Sequence, residues 1–197
     1  MKVKEINKTI VKSLTGFTSH SSLIYKIPLK DILVGYCLEA SSAKNNCYLW
    51  RFVMPLYFPS DHIYFTFGNR LKNKEGHAMF DLSAPETIDE IIALIQNEEK
   101  SFLELDQQQN FFTKYDAEGD KDNIHIQQAL SYTMCYIDAT KARLMLQTMI
   151  ECNKDSDTAW VKPILEQAQQ LINAIDAGNY VTMLEGFKKY TVEMLGI

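Results

Sequence analysis

The apolar periodicity of this chain changes once, and that change decides its fold class. Between Ser21 and Arg70 apolar and aromatic side chains alternate along the chain; after Ser83 they recur at helical spacing. Alternation marks half-buried strands, and three- and four-residue recurrence marks amphipathic helices. Ahead of the strands, Val3, Ile6, Ile10, Val11 and Leu14 form one stripe with Lys2, Lys4, Lys8 and Lys12 opposite, which predicts a first helix stopped near Gly16.

Four strands are expected, at 22–27, 32–38, 47–53 and 62–67. Their connections, 29–31, 41–46 and 58–61, are too short for parallel crossovers, so the strands should form an antiparallel meander. Pro28 should end the first strand and Pro55 end or bulge the third, because proline cannot donate to the ladder.

The remainder reads as helix. Ser83, Pro85 and Glu86 have the spacing of a capping box, followed by a stripe of Ile88, Ile91, Ile92 and Ile95. A second short helix carries Phe102, Leu103, Leu105, Phe111, Phe112 and Tyr115, and the longest periodic segment runs from Ile124 to Cys152. Two antiparallel helices, 160–177 and 180–195, close the chain around Gly178 and Asn179. The fold class is therefore α+β: an N-terminal helix, a four-stranded antiparallel meander, then an all-helical C-terminal half ending in a helical hairpin. The composition shift near 75–84 divides this into 1–80 and 81–197, as two domains or one continuous one.

With 197 residues and 46% hydrophobic side chains, the chain can bury a core without disulfides or a structural metal. Cys37, Cys47, Cys135 and Cys152 include no Cys-x-x-Cys pair and no histidine at ligand spacing, so free, mostly buried thiols are expected. The N-terminus lacks the apolar run of a signal peptide, and no apolar stretch reaches about 18 residues, so a cytoplasmic protein without a membrane span is expected.

Charge is distributed unevenly. Residues 1–74 hold 11 basic and 4 acidic side chains, or +7, and residues 75–197 hold 9 and 21, or −12, which together give the net −5. Such asymmetry fits a polyanion at the basic half, a basic partner at the acidic half, or two faces that neutralise each other.

The motifs of common chemistries are missing or out of register. The acidic loop from Asp116 to Asn123 places Lys121 where a calcium loop needs glycine and Gln127 where it needs a bidentate glutamate. The strand acid Glu39 is followed two residues on by Ser41, not the lysine of a metal-dependent nuclease trio. No Gly-x-Ser-x-Gly, Gly-x-Gly-x-x-Gly or Gly-x-x-x-x-Gly-Lys occurs, and His20, His62, His77 and His125 are scattered. No catalytic residue, metal ligand or cofactor is assigned.

Attention falls on the aromatic stretch 48–59 and the segment 62–70. Tyr48, Trp50, Phe52 and Met54 share one strand face, with Arg51, Arg70, Lys72 and Lys74 nearby in sequence. This fits a core face beneath a helix, a protein-contact surface, or a platform on which bases of single-stranded nucleic acid stack. The chain has 10 Tyr, 10 Phe and 8 Met, more than its core requires, and interfaces draw on these residue types. Candidate contact residues are Tyr48, Trp50, Arg51, Phe52, Arg70, Lys72 and Lys74 on the sheet, and Trp160, Tyr180, Phe187 and Tyr190 on the closing hairpin; the methionine-rich helix around Met134, Met145 and Met149 is a further surface.

The first helix ending in Gly16-Phe17, the meander, and the helical opening Thr87-Ile88-Asp89-Glu90-Ile91-Ile92 together resemble, in layout over residues 1–115, uncharacterised bacterial α+β domains of unknown function. The resemblance implies no activity and no site residue. The segment 174–180 is similar to the turn of a helical-hairpin repeat, but a single copy does not make a solenoid. The expected function is non-enzymatic protein contact, as an accessory subunit of a bacterial assembly or an immunity-type inhibitor whose partner is another, basic protein. The alternatives are a nucleic-acid module using the basic half and an enzyme or small-ligand binder with a site of scattered residues.

Overall fold

A computed structural model describes residues 3–197. Their contacts divide them into two compact units. The first runs through Met54, resumes over Ile63–Asp106 and includes Gly196–Ile197; the second is Pro55–His62 with Gln107–Leu195. The expected α+β architecture is present, with an N-terminal helix, an antiparallel sheet and a helical C-terminal half.

In the first unit, α1 (Val3–Val11) turns Ile6 and Ile10 fully inward and packs against β1 (Phe17–His20), β2 (Leu23–Lys26) and β3 (Ile32–Ala40). β3 is buried from Ile32 to Leu38 on both faces, which is why its apolar run is nearly continuous rather than alternating. Gly35 sits at the closest approach of β2 to β3: a Cβ there would lie 2.4 Å from the carbonyl oxygen of Ile24. β4 (Asn46–Pro55) pairs with β3 on one side and, end to end on the other, with β5 (Phe67–Arg70) and β6 (Met79–Asp81).

The sheet thus has six strands among the described residues rather than four. β1 escapes the periodicity because Thr18, Ser19 and His20 are polar, and β6 because it is three residues long. The expected strand at 62–67 is displaced: only Phe67 belongs to a strand, and β5 continues to Arg70. The hydroxyl of Ser60 bonds both the N–H and the C=O of His62, giving that backbone a local alternative to the ladder. Gly68 then lets β5 approach β4, since a Cβ would meet the carbonyl oxygen of Arg51 at 2.8 Å.

The unit is completed by α2 (Thr87–Gln96), α3 (Lys100–Leu103) and a 3₁₀ turn over Glu104–Asp106. Ile91 and Ile95, four residues apart, form the buried edge of α2. The anticipated capping box does not form. Ser83 instead donates N–H and Oγ–H to Asp81 Oδ1 at 2.9 and 2.6 Å, Thr87 Oγ1 donates to the Asp81 carbonyl, and Pro85 stays in the turn ahead of the helix.

The second unit contains α4 (Gln108–Glu118), α5 (Ile124–Met134), α6 (Ala139–Asn153), α7 (Val161–Asp176) and α8 (Tyr180–Leu195), each packed on the next. The long periodic segment is therefore two helices, α5 and α6. Asp138 leaves helical geometry at φ −152° and accepts the Lys141 N–H at 3.0 Å, so it caps a new helix. The phase change leaves Ile137 and Leu144, both in the apolar pattern, exposed. Between α7 and α8, Gly178 at φ +74° donates to Ile175 and Asn179 donates to Ala174, a Schellman stop.

Pro55–His62 supplies this unit with core. Leu56 and Tyr57 are fully buried and Phe58 nearly so. Tyr57 packs against Tyr136 with ring centres 5.0 Å apart and planes tilted by 55°, Phe58 meets Tyr132 edge-on, and Thr191 Oγ1 on α8 donates to the Phe58 carbonyl while accepting the Ser60 N–H.

Counted by compact unit, the charge asymmetry shrinks to an acidic excess of five in the second unit. The second unit has 13 acidic and 8 basic side chains, and the rest of the chain 12 of each. The acidic segment 75–106 folds with the basic strands, and Lys26 and Lys30 pair with Asp106 while Arg51 pairs with Glu98.

Candidate functional site

The sheet brings Tyr48, Trp50 and Arg70 together. Tyr48 and Trp50 share a face of β4 because they are two residues apart, and the register sets Arg70 directly opposite Trp50 and Met79 opposite Tyr48. The Arg70 guanidinium carbon lies 3.8 Å from the Tyr48 ring centre and 4.8 Å from that of Trp50. Glu39 on β3 fixes both partners, its Oε2 accepting from Trp50 Nε1 at 2.8 Å and from Arg70 Nη2 at 3.0 Å. Phe65 stacks on Trp50 at 4.5 Å and meets Phe52 edge-on at 5.5 Å. The row runs Tyr48, Arg70, Trp50, Phe65, Phe52 and passes from half-exposed to fully buried. Phe52, one of the candidate contact residues, is fully buried and belongs to the core, the other reading open for this strand face.

Arg51, adjacent in sequence, belongs to the opposite face and a different network. Its guanidinium bonds Glu98 at 2.9 Å and Asn69 at 3.1 and 3.3 Å, and lies 5.0 Å from the Phe102 ring. The buried Tyr36 hydroxyl donates to the same Glu98, and burial together with that carboxylate raises its pKa above the ordinary phenol value. Arg51 thereby anchors one end of a cleft of about 440 Å³. One wall is the continuation of β5, Leu71, Lys72, Asn73 and Lys74; the other is the face of α2 carrying Glu90, Ala93, Leu94 and Asn97, with Glu99 beyond. Those α2 residues follow the helical repeat one step round from Ile91 and Ile95, so the spacing that buries the isoleucines aims this face at the cleft.

The four hairpin candidates lie in the second unit. Trp160 is 53% exposed and stacks on His125 at 5.1 Å, with ring planes 12° apart. Tyr190 is exposed, Tyr180 half-buried, and Phe187 half-buried against Tyr132. Met134 and Met149, expected as surface, are 2% and 1% exposed and serve the core; Met145 is half-buried.

Cys37, Cys47 and Cys135 are buried free thiols and Cys152 is exposed. Burial pushes the Cys47 and Cys135 thiols up to about 12 and raises that of Cys37, so at neutral pH all three stay protonated and unreactive. Among the described residues no group of three His, Cys, Asp or Glu side chains could hold a metal ion, and no helix is long and apolar enough to cross a membrane.

The sequence reading missed Glu39 as the clamp, Phe65 as the stacking partner, Met79, and the α2 wall of the cleft. Alternation at Phe65 and Phe67 was a signal for the second of these; strand register, which places Glu39, leaves no local signal. Comparison with protein-family models, with curated proteins and with solved structures gives no match.

Proposed function

We propose that the protein is a non-enzymatic binding protein that acts by contacting another protein, as an accessory subunit of a larger assembly or an inhibitor of the immunity type. The observation that carries this reading is the Arg70 guanidinium held between Tyr48 and Trp50. Trp, Tyr and Arg are the residues in which interface energy concentrates, and a side chain already fixed by stacking and by Glu39 loses little freedom on binding. Arg70 gives one N–H to Glu39 and retains others, so the complementary group on the partner is a carboxylate. The near-neutral first unit lends no support to a basic partner there; the acidic excess of five in the second unit is the remaining argument for one. Base stacking is disfavoured, because Arg70 and Phe65 already occupy the Trp50 indole.

The test compares wild type with Arg70→Glu in affinity capture from native cells after mild lysis. One protein should co-purify stoichiometrically with wild type, without nucleic acid by its 260/280 ratio, and be lost from Arg70→Glu while that variant still melts cooperatively. Equal recovery by the variant, or a wild type that elutes alone, would overturn the proposal.

A further inference from the structure

β5 is the last strand on its side of the sheet, and its backbone alternates in direction. Leu71 donates its N–H to the Leu49 carbonyl of β4 at 2.8 Å, so the backbone groups of Gly68, Arg70 and Lys72 point the other way, out of the sheet edge. At one end the Gly68 N–H is taken by the Phe65 carbonyl at 3.0 Å, and at the other, past Lys72, the Lys74 N–H is taken by the Glu90 carboxylate. The edge is thus closed at both ends and open at Arg70 and Lys72, both exposed. The Arg70 carbonyl receives a 3.4 Å bond from Asn69 Nδ2 and has capacity for a second.

The side chains at this opening carry one sign of charge. Arg70 and Lys72 are two residues apart, the spacing of one strand face, and Lys72 makes no ion pair among the described residues. On the other face α2 flanks the edge and runs antiparallel to it: Glu98 bonds Arg51, which bonds Asn69, and Glu90 bonds Lys74. The cleft between them offers the apolar side chains of Leu71, Ala93 and Leu94. A second copy of this chain does not fit the opening, because antiparallel pairing would set these two cations against the same two. Building on the protein-contact reading above, we propose that the partner adds an extended acidic segment to this edge as a further antiparallel strand, with acidic side chains opposite Arg70 and Lys72 and an apolar one between them directed to the cleft. In this pairing the N–H groups of the two acidic residues bond the edge, and that of the residue between them points away.

The test titrates the full chain with the blocked peptide acetyl-Thr-Glu-Val-Glu-Thr-amide while following backbone amide resonances and their hydrogen exchange. The peptide should shift the Arg70 and Lys72 amides saturably and slow their exchange. N-methylation of both glutamates should weaken binding about tenfold or more, the loss of roughly two hydrogen bonds, while N-methylation of the valine should change it less than about twofold. The counterpart with lysine in place of both glutamates should not bind. Lys72→Pro removes an outward N–H and leaves the Leu71 bond to β4 in place, so it should lose the peptide while still melting cooperatively. The inference fails if the peptide gives no saturable shifts, if N-methylation of the glutamates is tolerated, or if the lysine peptide binds equally well. In capture from native cells, a partner lost from Arg70→Glu but retained by Lys72→Pro would overturn strand addition and leave protein contact standing. A wild type that binds the peptide as described yet elutes alone would overturn the protein-contact reading and uphold the edge site.

Discussion

Lys26 Nζ lies 2.7 Å from Asp106 Oδ2, although the two residues are 80 positions apart and belong to the two stretches of opposite charge in the sequence. Lys30 reaches the same oxygen at 3.0 Å, and Lys26 also donates to the Leu103 carbonyl at 2.8 Å. Asp106 is 3% exposed, so its charge is compensated from within the unit. Asp106→Asn should therefore lower unfolding free energy by about 2–3 kcal/mol, the loss of two charge-assisted bonds at a buried acceptor. Lys30→Ala should cost less than about 1 kcal/mol, because that side chain is nearly half exposed. Urea denaturation of the two variants measures the difference, and equal effects would contradict the burial argument.

The helical unit draws Leu56, Tyr57 and Phe58 from a segment that precedes most of it by some fifty residues. Burial of such side chains is worth roughly 1.5–3 kcal/mol each, comparable in sum to a domain's whole stability. A fragment of residues 81–197 should accordingly show helical far-UV dichroism without a cooperative melt. Tyr57→Phe in the full chain should cost only about 1 kcal/mol, because it removes the hydroxyl bond to Thr133 and keeps the packing. A fragment melting cooperatively at the full-length temperature would refute the requirement.

Native protein treated with an aromatic disulfide reagent at neutral pH should yield one reactive thiol, Cys152, and four after unfolding. The same burial sets the alkaline behaviour. The pKa values of Cys37, Cys47 and Cys135 are raised in the folded state, so the unfolded chain loses protons first as pH rises. These groups leave stability unchanged below the ordinary thiol value near 9, and Cys47 and Cys135 should each lower it between pH 9 and 12 by roughly 1.4 kcal/mol per pH unit. Chemical denaturation at a series of pH values, repeated with Cys47→Ala and Cys135→Ala together, should show a shallower alkaline decline in the variant.

His125 loses hydration and its pKa is lowered from 6.5, while its ring stacks on Trp160. The imidazole is neutral at pH 7, and its charging disfavours the folded state only as pH falls below the usual histidine value. In a Trp50→Phe background, where Trp160 is the sole indole, fluorescence should be quenched on acidification with a midpoint below 6.5. His125→Gln should abolish the transition, and a midpoint above 6.5 would mean that a nearby charge, rather than burial, governs this histidine.

Much of the fold could be read locally. Isoleucines at helical spacing in α1 and α2, apolar β3 and β4, and Gly178 at a helix end each carry their own signal, and all stand where expected. The errors have local causes as well. Ser83 spends its hydrogen bonds on Asp81 instead of capping α2, Asp138 caps a helix within an unbroken apolar pattern, and Ser60 holds His62 out of the ladder.

The candidate sites were legible only as residue types. Aromatics beside arginines were evident between Tyr48 and Arg70, but whether Arg51 or Arg70 joins them depends on strand parity and register: Arg70 faces Trp50, and Arg51 turns the other way to Glu98. The cleft needs α2 beside the continuation of β5, a juxtaposition of segments 16 or more residues apart.

Short-range signals set the class of most segments, because helix and strand periodicity, turn residues and caps act over a few neighbours, and they failed where a strand was polar like β1 or as short as β6. Which charges neutralise which, that Leu56–Phe58 serve the helical core, and which aromatic faces stay open were settled by the folded arrangement. Those outcomes depend on register and on long-range packing, where segments far apart in the chain compete for the same buried surface and the same counter-charge.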